Sequence, residues 1–144
     1  MPRFRLKAPP SPPEKLEQAA LFQWRDAMKA RIPELRWLHA VPNGLWLPDS
    51  YARTALKQGL TAGVADVSWP LARGGYHGLY IEMKRRDATH CCVTALQREF
   101  LEFVAAQGYR AEWCNGWEAA RDVILGYWEV LTAYENPPKS KEIG

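Results

Sequence analysis

Three ionisable residues on two short apolar segments offer the clearest chemistry in this sequence. Asp66 lies in Gly63-Val64-Ala65-Asp66-Val67-Ser68-Trp69-Pro70, and Glu82 and Lys84 lie in Gly78-Leu79-Tyr80-Ile81-Glu82-Met83-Lys84, with a glycine turn between them. If the segments pair as a hairpin centred on Gly74, the numbers of facing residues add to 148, and Asp66 stands opposite Glu82. Directly opposed residues share a face with Cβ atoms roughly 4.5–5.5 Å apart. Lys84 joins them because side chains on a strand repeat every two residues. A bulge in the connection would shift this register by one. Two carboxylates so close repel, and a fold accommodates them by raising the pKa of one or by binding a cation. Mg²⁺ takes one or two carboxylates together with waters and phosphate oxygens. Lys84 would then sit where it could hold an attacking water or neutralise charge developing on a phosphate. A Glu-x-Lys in a strand is by itself an ordinary solvated pair, so the reading rests on what surrounds it.

The elements that must position these residues can be read from hydrophobic spacing. Pro13-Glu14 opens a helix whose stripe, Leu16, Ala19, Ala20, Gln23, Trp24, Ala27 and Met28, runs up to Pro33. Leu35–Val41 reads as a strand stopped by Pro42-Asn43-Gly44, and Ala52–Gln58 as a short helix. Val64–Trp69 and Gly78–Lys84 are strands around Gly74-Gly75. Thr94 to Gln107 is a helix stopped by Gly108, Tyr109–Cys114 a strand, and Glu118–Leu131 a last amphipathic helix. The order describes one α/β domain, a small mixed β-sheet flanked by helices, over residues 14–135. A Pro-rich basic arm, 1–13, precedes it and a tail, 136–144, follows. Trp37, Trp69 and Trp113 fall on strands and are expected in the core. Trp46 and Trp128 are candidates for a subunit surface, with core packing favoured for Trp128. Asn43, Gly44 and His39 precede the aspartate strand and could line a cleft, although His39 reads better as a packed strand residue.

Composition excludes several classes. At 144 residues, 47% hydrophobic and 24% charged, the chain fits one globular domain and neither a disordered nor a fibrous protein. No run approaches the ~18–20 apolar residues that cross a bilayer, and no secretory signal is expected, so the expectation is a soluble cytoplasmic protein without a membrane partner. Cys91, Cys92 and Cys114 do not form a disulfide framework, and His90-Cys91-Cys92 lacks the paired spacing of a zinc site. A net charge of +3 is too mild to establish nucleic-acid binding, so the placement of the basic residues matters more.

Taken together, Gly59-Leu60-Thr61-Ala62-Gly63-Val64-Ala65-Asp66, the Ile81-Glu82-Met83-Lys84 strand and Thr94-Ala95-Leu96-Gln97 at a helix start resemble the VRR-NUC family. These are virus-type replication and repair nucleases of the PD-(D/E)xK superfamily, and the likeness spans roughly residues 14–115. Ala65 stands where the family pattern has proline, a change in turn rigidity that spares the acids. The resemblance implies a restriction-endonuclease-like core that ligates Mg²⁺ or Mn²⁺ through Asp66, Glu82 and the Met83 carbonyl. It also implies a contribution from Glu17 on the first helix, with Glu14 its near competitor. Lys84 is implied as the catalytic lysine and Gln97 as a residue at the edge of the site.

Arg53, Lys57, Arg73, Arg85, Arg86 and Arg98 are expected around this site, where a polyanion could reach several of them. No base-reading motif is present, so recognition by backbone and shape is expected. The resemblance further implies a phage or bacterial enzyme that cuts branched DNA as a homodimer, in the manner of a Holliday junction resolvase. Symmetric cutting of a four-way junction needs two sites related by a two-fold axis. An exonuclease, flap nuclease or less selective nicking enzyme keeps the same site, and a non-catalytic DNA-binding adaptor keeps only the fold.

Overall fold

A computed structural model of the chain describes residues 11–42 and 49–130. Residues 1–10 of the arm, the segment carrying Asn43, Gly44 and Trp46, and the tail 136–144 lie outside the described residues. In chain order the elements are α1 (Glu14–Met28), β1 (His39–Ala40), α2 (Asp49–Lys57), β2 (Val67–Trp69), β3 (Leu79–Lys84), α3 (Ala95–Ala106), β4 (Arg110–Asn115) and α4 (Trp117–Glu129). The four strands form one mixed sheet in the order β1-β2-β3-β4. The first three are antiparallel neighbours, whereas β3 and β4 run parallel and are joined by the α3 crossover.

The hairpin has the register expected from the sequence: Val67 faces Ile81, Ser68 faces Tyr80 and Trp69 faces Leu79. It is pinned from both sides. Gly74 and Gly75 have φ of 55° and 85°, backbone that favours glycine and builds a tight two-residue turn with the strands' own twist. Below the sheet, Val67, Trp69, Leu79, Ile81 and Met83 are buried with Leu21 of α1 and Ala120, Ile124 and Tyr127 of α4. A one-residue slip would turn that whole apolar set to the other face. The alternate residues of β3 point the other way, towards α3, where Tyr80 meets Phe100 edge-on with ring centroids 5.3 Å apart.

Several expectations are corrected. Leu35–Val41 is not a strand: Pro33–Trp37 forms a 3₁₀ helix and only His39–Ala40 pairs with β2. Leu35 and Leu38 are both buried three residues apart, which suits a tight helical turn rather than alternation. Trp37 is consequently 60% exposed, not core, and His39 is exposed rather than packed. The aspartate strand starts at Val67, three residues later than expected, and α2 starts at Asp49 rather than Ala52. Trp69 is fully buried and Trp128 stacks on it with centroids 6.3 Å apart, consistent with core packing for both; Trp113 is half-buried.

Candidate active site

Asp66 sits one residue before β2, where the hairpin opens. Its carbonyl accepts a 2.8 Å hydrogen bond from Val41 N, and its carboxylate Oδ2 accepts one of 2.8 Å from Met83 N. The Met83 N–H is therefore spent on the Asp66 side chain, which fixes that side chain beside Glu82. Gly63 makes this approach possible: its φ is 87°, and a Cβ there would lie 2.6 Å from Leu96 Cγ and 3.0 Å from the Leu96 carbonyl. The turn leading into Asp66 thus presses directly on the start of α3.

Glu82 and Lys84 lie on the α3 side of β3 and are 2% and 5% exposed. Lys84 Nζ stands 3.2 Å from Glu82 Oε1 and 3.9 Å from Glu14 Oε1. Gln97 is held by a capping box with Thr94. Its Oε1 accepts from Thr94 N at 2.9 Å, and its own N–H is bound by Thr94 Oγ1 at 3.2 Å. The Gln97 Nε2 group is then aimed at Glu82 Oε1, 2.7 Å away. Thr94 and Gln97 therefore set both the start of a helix and the orientation of the Glu82 carboxyl.

Burial pushes the Glu82 carboxyl up to about 7, with the neighbouring Asp66 charge adding to it and Lys84 offsetting part. Asp66 is also raised, by burial first, against the lowering effect of the Met83 N–H. At neutral pH the site is thus a carboxyl pair that resists carrying two negative charges. Such an oxygen-rich pair fits a hard dication, whose charge would relieve the strain. Among the described residues, no three His, Cys, Asp or Glu side chains form a complete metal cage. A Mg²⁺-type site, which completes its shell with water and phosphate, does not need one.

The other sequence-derived residues separate into groups. Glu17 is not brought to the acids: it is buried, and its two oxygens accept from Arg86 Nε at 2.7 Å and from Trp117 N, the first residue of α4, at 2.8 Å. Glu14, one turn earlier, is the helix acid beside Lys84. Arg86 is shared between Glu17 and Glu118, and Arg85 binds Ser11 through its Oγ and carbonyl. Arg73 stands at the turn end of the hairpin, away from the acids, with its guanidinium 4.4 Å over the Trp128 ring. Arg53 and Lys57 are exposed on α2, and Arg98 is half-buried on α3. A cleft of about 770 Å³ opens beside the acids, bounded by α1, α2 and the Ala62–Val64 turn, and reaches Asp66, Glu82 and Gln97. Its apolar wall had no signal in the sequence beyond scattered aliphatic residues.

No family model matches the chain, and no curated protein matches it. Among solved structures, a VRR_NUC domain protein superposes with a TM-score of 0.69 and 28% identity, over 87% of this chain and 93% of that one. This likeness supports a VRR-NUC domain. The four-stranded mixed sheet with flanking helices matches that structural neighbour and supports a nuclease-type domain, and no helix among the described residues is long and apolar enough to cross a membrane.

Proposed function

We propose that this VRR-NUC domain is a divalent-metal-dependent deoxyribonuclease, an endonuclease acting on branched DNA as a homodimer. The observation that carries the reading is the buried Glu82 carboxyl, raised in pKa by burial and by Asp66, with Lys84 Nζ 3.2 Å away. Asp66 and Glu82 would hold Mg²⁺ or Mn²⁺, with the Met83 carbonyl as a further ligand. Glu14 takes the outer position first given to Glu17, because Glu17 is already committed to Arg86 and Trp117. When bound, the cation supplies electrostatic stabilisation of a phosphate and a more acidic water.

The chain's own residues supply the rest. Lys84 is anchored by Glu82 and is placed to orient the attacking water or to offset charge building on the phosphate oxygens. Gln97 keeps the Glu82 carboxyl turned into the site through its 2.7 Å bond. Arg53, Lys57 and Arg98 remain the basic side chains best disposed to meet a phosphate backbone. Arg85 and Arg86 already serve internal contacts, and Arg73 is remote.

Purified protein incubated with a labelled four-way junction, a flap and a linear duplex, with and without Mg²⁺ or Mn²⁺, tests this reading. Metal-dependent, paired cuts near the crossover are the expected result. Cutting of the flap alone would move the reading to a flap nuclease. DNA binding without cleavage under either metal would make the domain an adaptor.

A further inference from the structure

We propose that the cleft beside the acids binds an unpaired nucleotide of the strand to be cut, so that DNA enters with its scissile position unstacked. The proposal deepens the nuclease reading and rests on it. Its first basis is depth: Glu82 lines the cleft and is 2% exposed, so a scissile phosphate must descend into the cleft to approach it. A stacked duplex is a convex cylinder too wide to follow, whereas a single strand can enter.

The second basis is the chemistry of the walls. The cleft is lined by Glu82, Asp66 and Gln97 and also by Phe22, Val41, Pro42, Leu56 and Leu60. Acids would suit the metal–phosphate end, and an aromatic ring with aliphatic neighbours suits the flat face of a base, whose stacking tolerates any sequence. At about 770 Å³ the cleft falls within the range of roughly 300–1,000 Å³ typical of small-molecule sites. Charge beside the cleft agrees: Lys15 lines it, and Arg53 lies three residues before the lining residue Leu56 on exposed α2. Leu56, 58% exposed at this edge, is an apolar side chain that a base would cover.

The test uses oligonucleotides carrying one 2-aminopurine, placed in turn at each position of a single-stranded segment, with binding read by fluorescence in Ca²⁺. A saturable change at one position is expected. Removing that base to leave an abasic site should weaken binding about tenfold in the wild type. Leu56→Ser, which changes an exposed residue, should lower the preference for single-stranded over duplex DNA by a similar factor and abolish the abasic effect. Leu56→Trp should tighten single-strand binding. Equal losses on both DNA forms, or an abasic site without effect, would overturn the proposal. Cleavage on the same substrates separates the two readings: metal-dependent cutting indifferent to the base retains the nuclease and removes the nucleotide site. Base-dependent binding without any cutting retains the nucleotide site and removes the nuclease.

Discussion

Glu17 and Glu82 are equally hidden from water, each 2% exposed, yet the two regions around them treat a buried acid in opposite ways. At the junction of α1 and α4, each Glu17 oxygen has a donor, the Arg86 guanidinium and the Trp117 N–H at the positive end of a helix. At the open end of the hairpin, Glu82 shares its space with a second acid, and Lys84 offsets only part of the repulsion. The first arrangement joins α1, α4 and the segment after β3. The second is unfavourable in isolation and makes sense when a cation or a substrate completes it. Burial of a carboxyl therefore does not separate the two regions; the match or mismatch between the acid and its partners does.

The largest expected effect breaks the comparison at the hairpin. Asp66→Asn, Glu82→Gln or Lys84→Ala should each lower cleavage by about a thousandfold, a loss of roughly 4 kcal/mol in transition-state stabilisation. Single-turnover rates measure this, and Glu82→Gln should unfold at no lower a temperature than the wild type. Glu17→Ala should do the reverse. It should cost about 2 kcal/mol of stability by leaving the Trp117 N–H at the start of α4 without its acceptor, with denaturant unfolding as the measurement. Its cleavage rate, taken where the variant is still folded, should fall far less than that of Asp66→Asn.

A pH series sharpens the contrast further. A free Glu titrates near 4.5, and Glu82 in the folded protein near 7, so the folded state holds this proton more tightly. Metal-free stability should therefore be greatest below about pH 4.5 as far as this group is concerned. It should decline by about 3 kcal/mol as pH rises from about 4.5 through 7, then level off. Asp66 acts in the same direction. Adding Mn²⁺ should restore stability at pH 8 and have little effect at pH 5, and Glu82→Gln should flatten the profile. The smallest effect is expected at the other end of the hairpin: Arg73→Ala should change cleavage by less than about twofold, because its guanidinium lies on Trp128 rather than near the acids.

The hairpin was legible because its determinants are local and agree with one another. A glycine pair marks the turn, and alternating apolar residues on both sides admit one register. The start of α3 next to Thr94 was equally readable, because a helix start is decided within one helical turn. The choice between Glu14 and Glu17 was not. These residues sit three apart on nearly the same helix face, and which one meets Lys84 depends on how α1 is seated against β3 and α4. Leu35–Val41 misled because Leu35 and Leu38 are apolar at a spacing that a strand and a 3₁₀ turn read differently, and Pro33 favours the turn. Arg73 misled for a topological reason: it is close in sequence to both acids, but a hairpin sends its turn to the far end of the sheet.

The central claim is that the strained pair, and not the satisfied glutamate, holds the cation. Calorimetric titration of Mn²⁺ into the wild type, Asp66→Asn and Glu17→Gln, each confirmed as folded, tests it most directly. Binding should persist in Glu17→Gln and weaken at least tenfold in Asp66→Asn. Undiminished binding in Asp66→Asn, with loss in Glu17→Gln, would contradict the account.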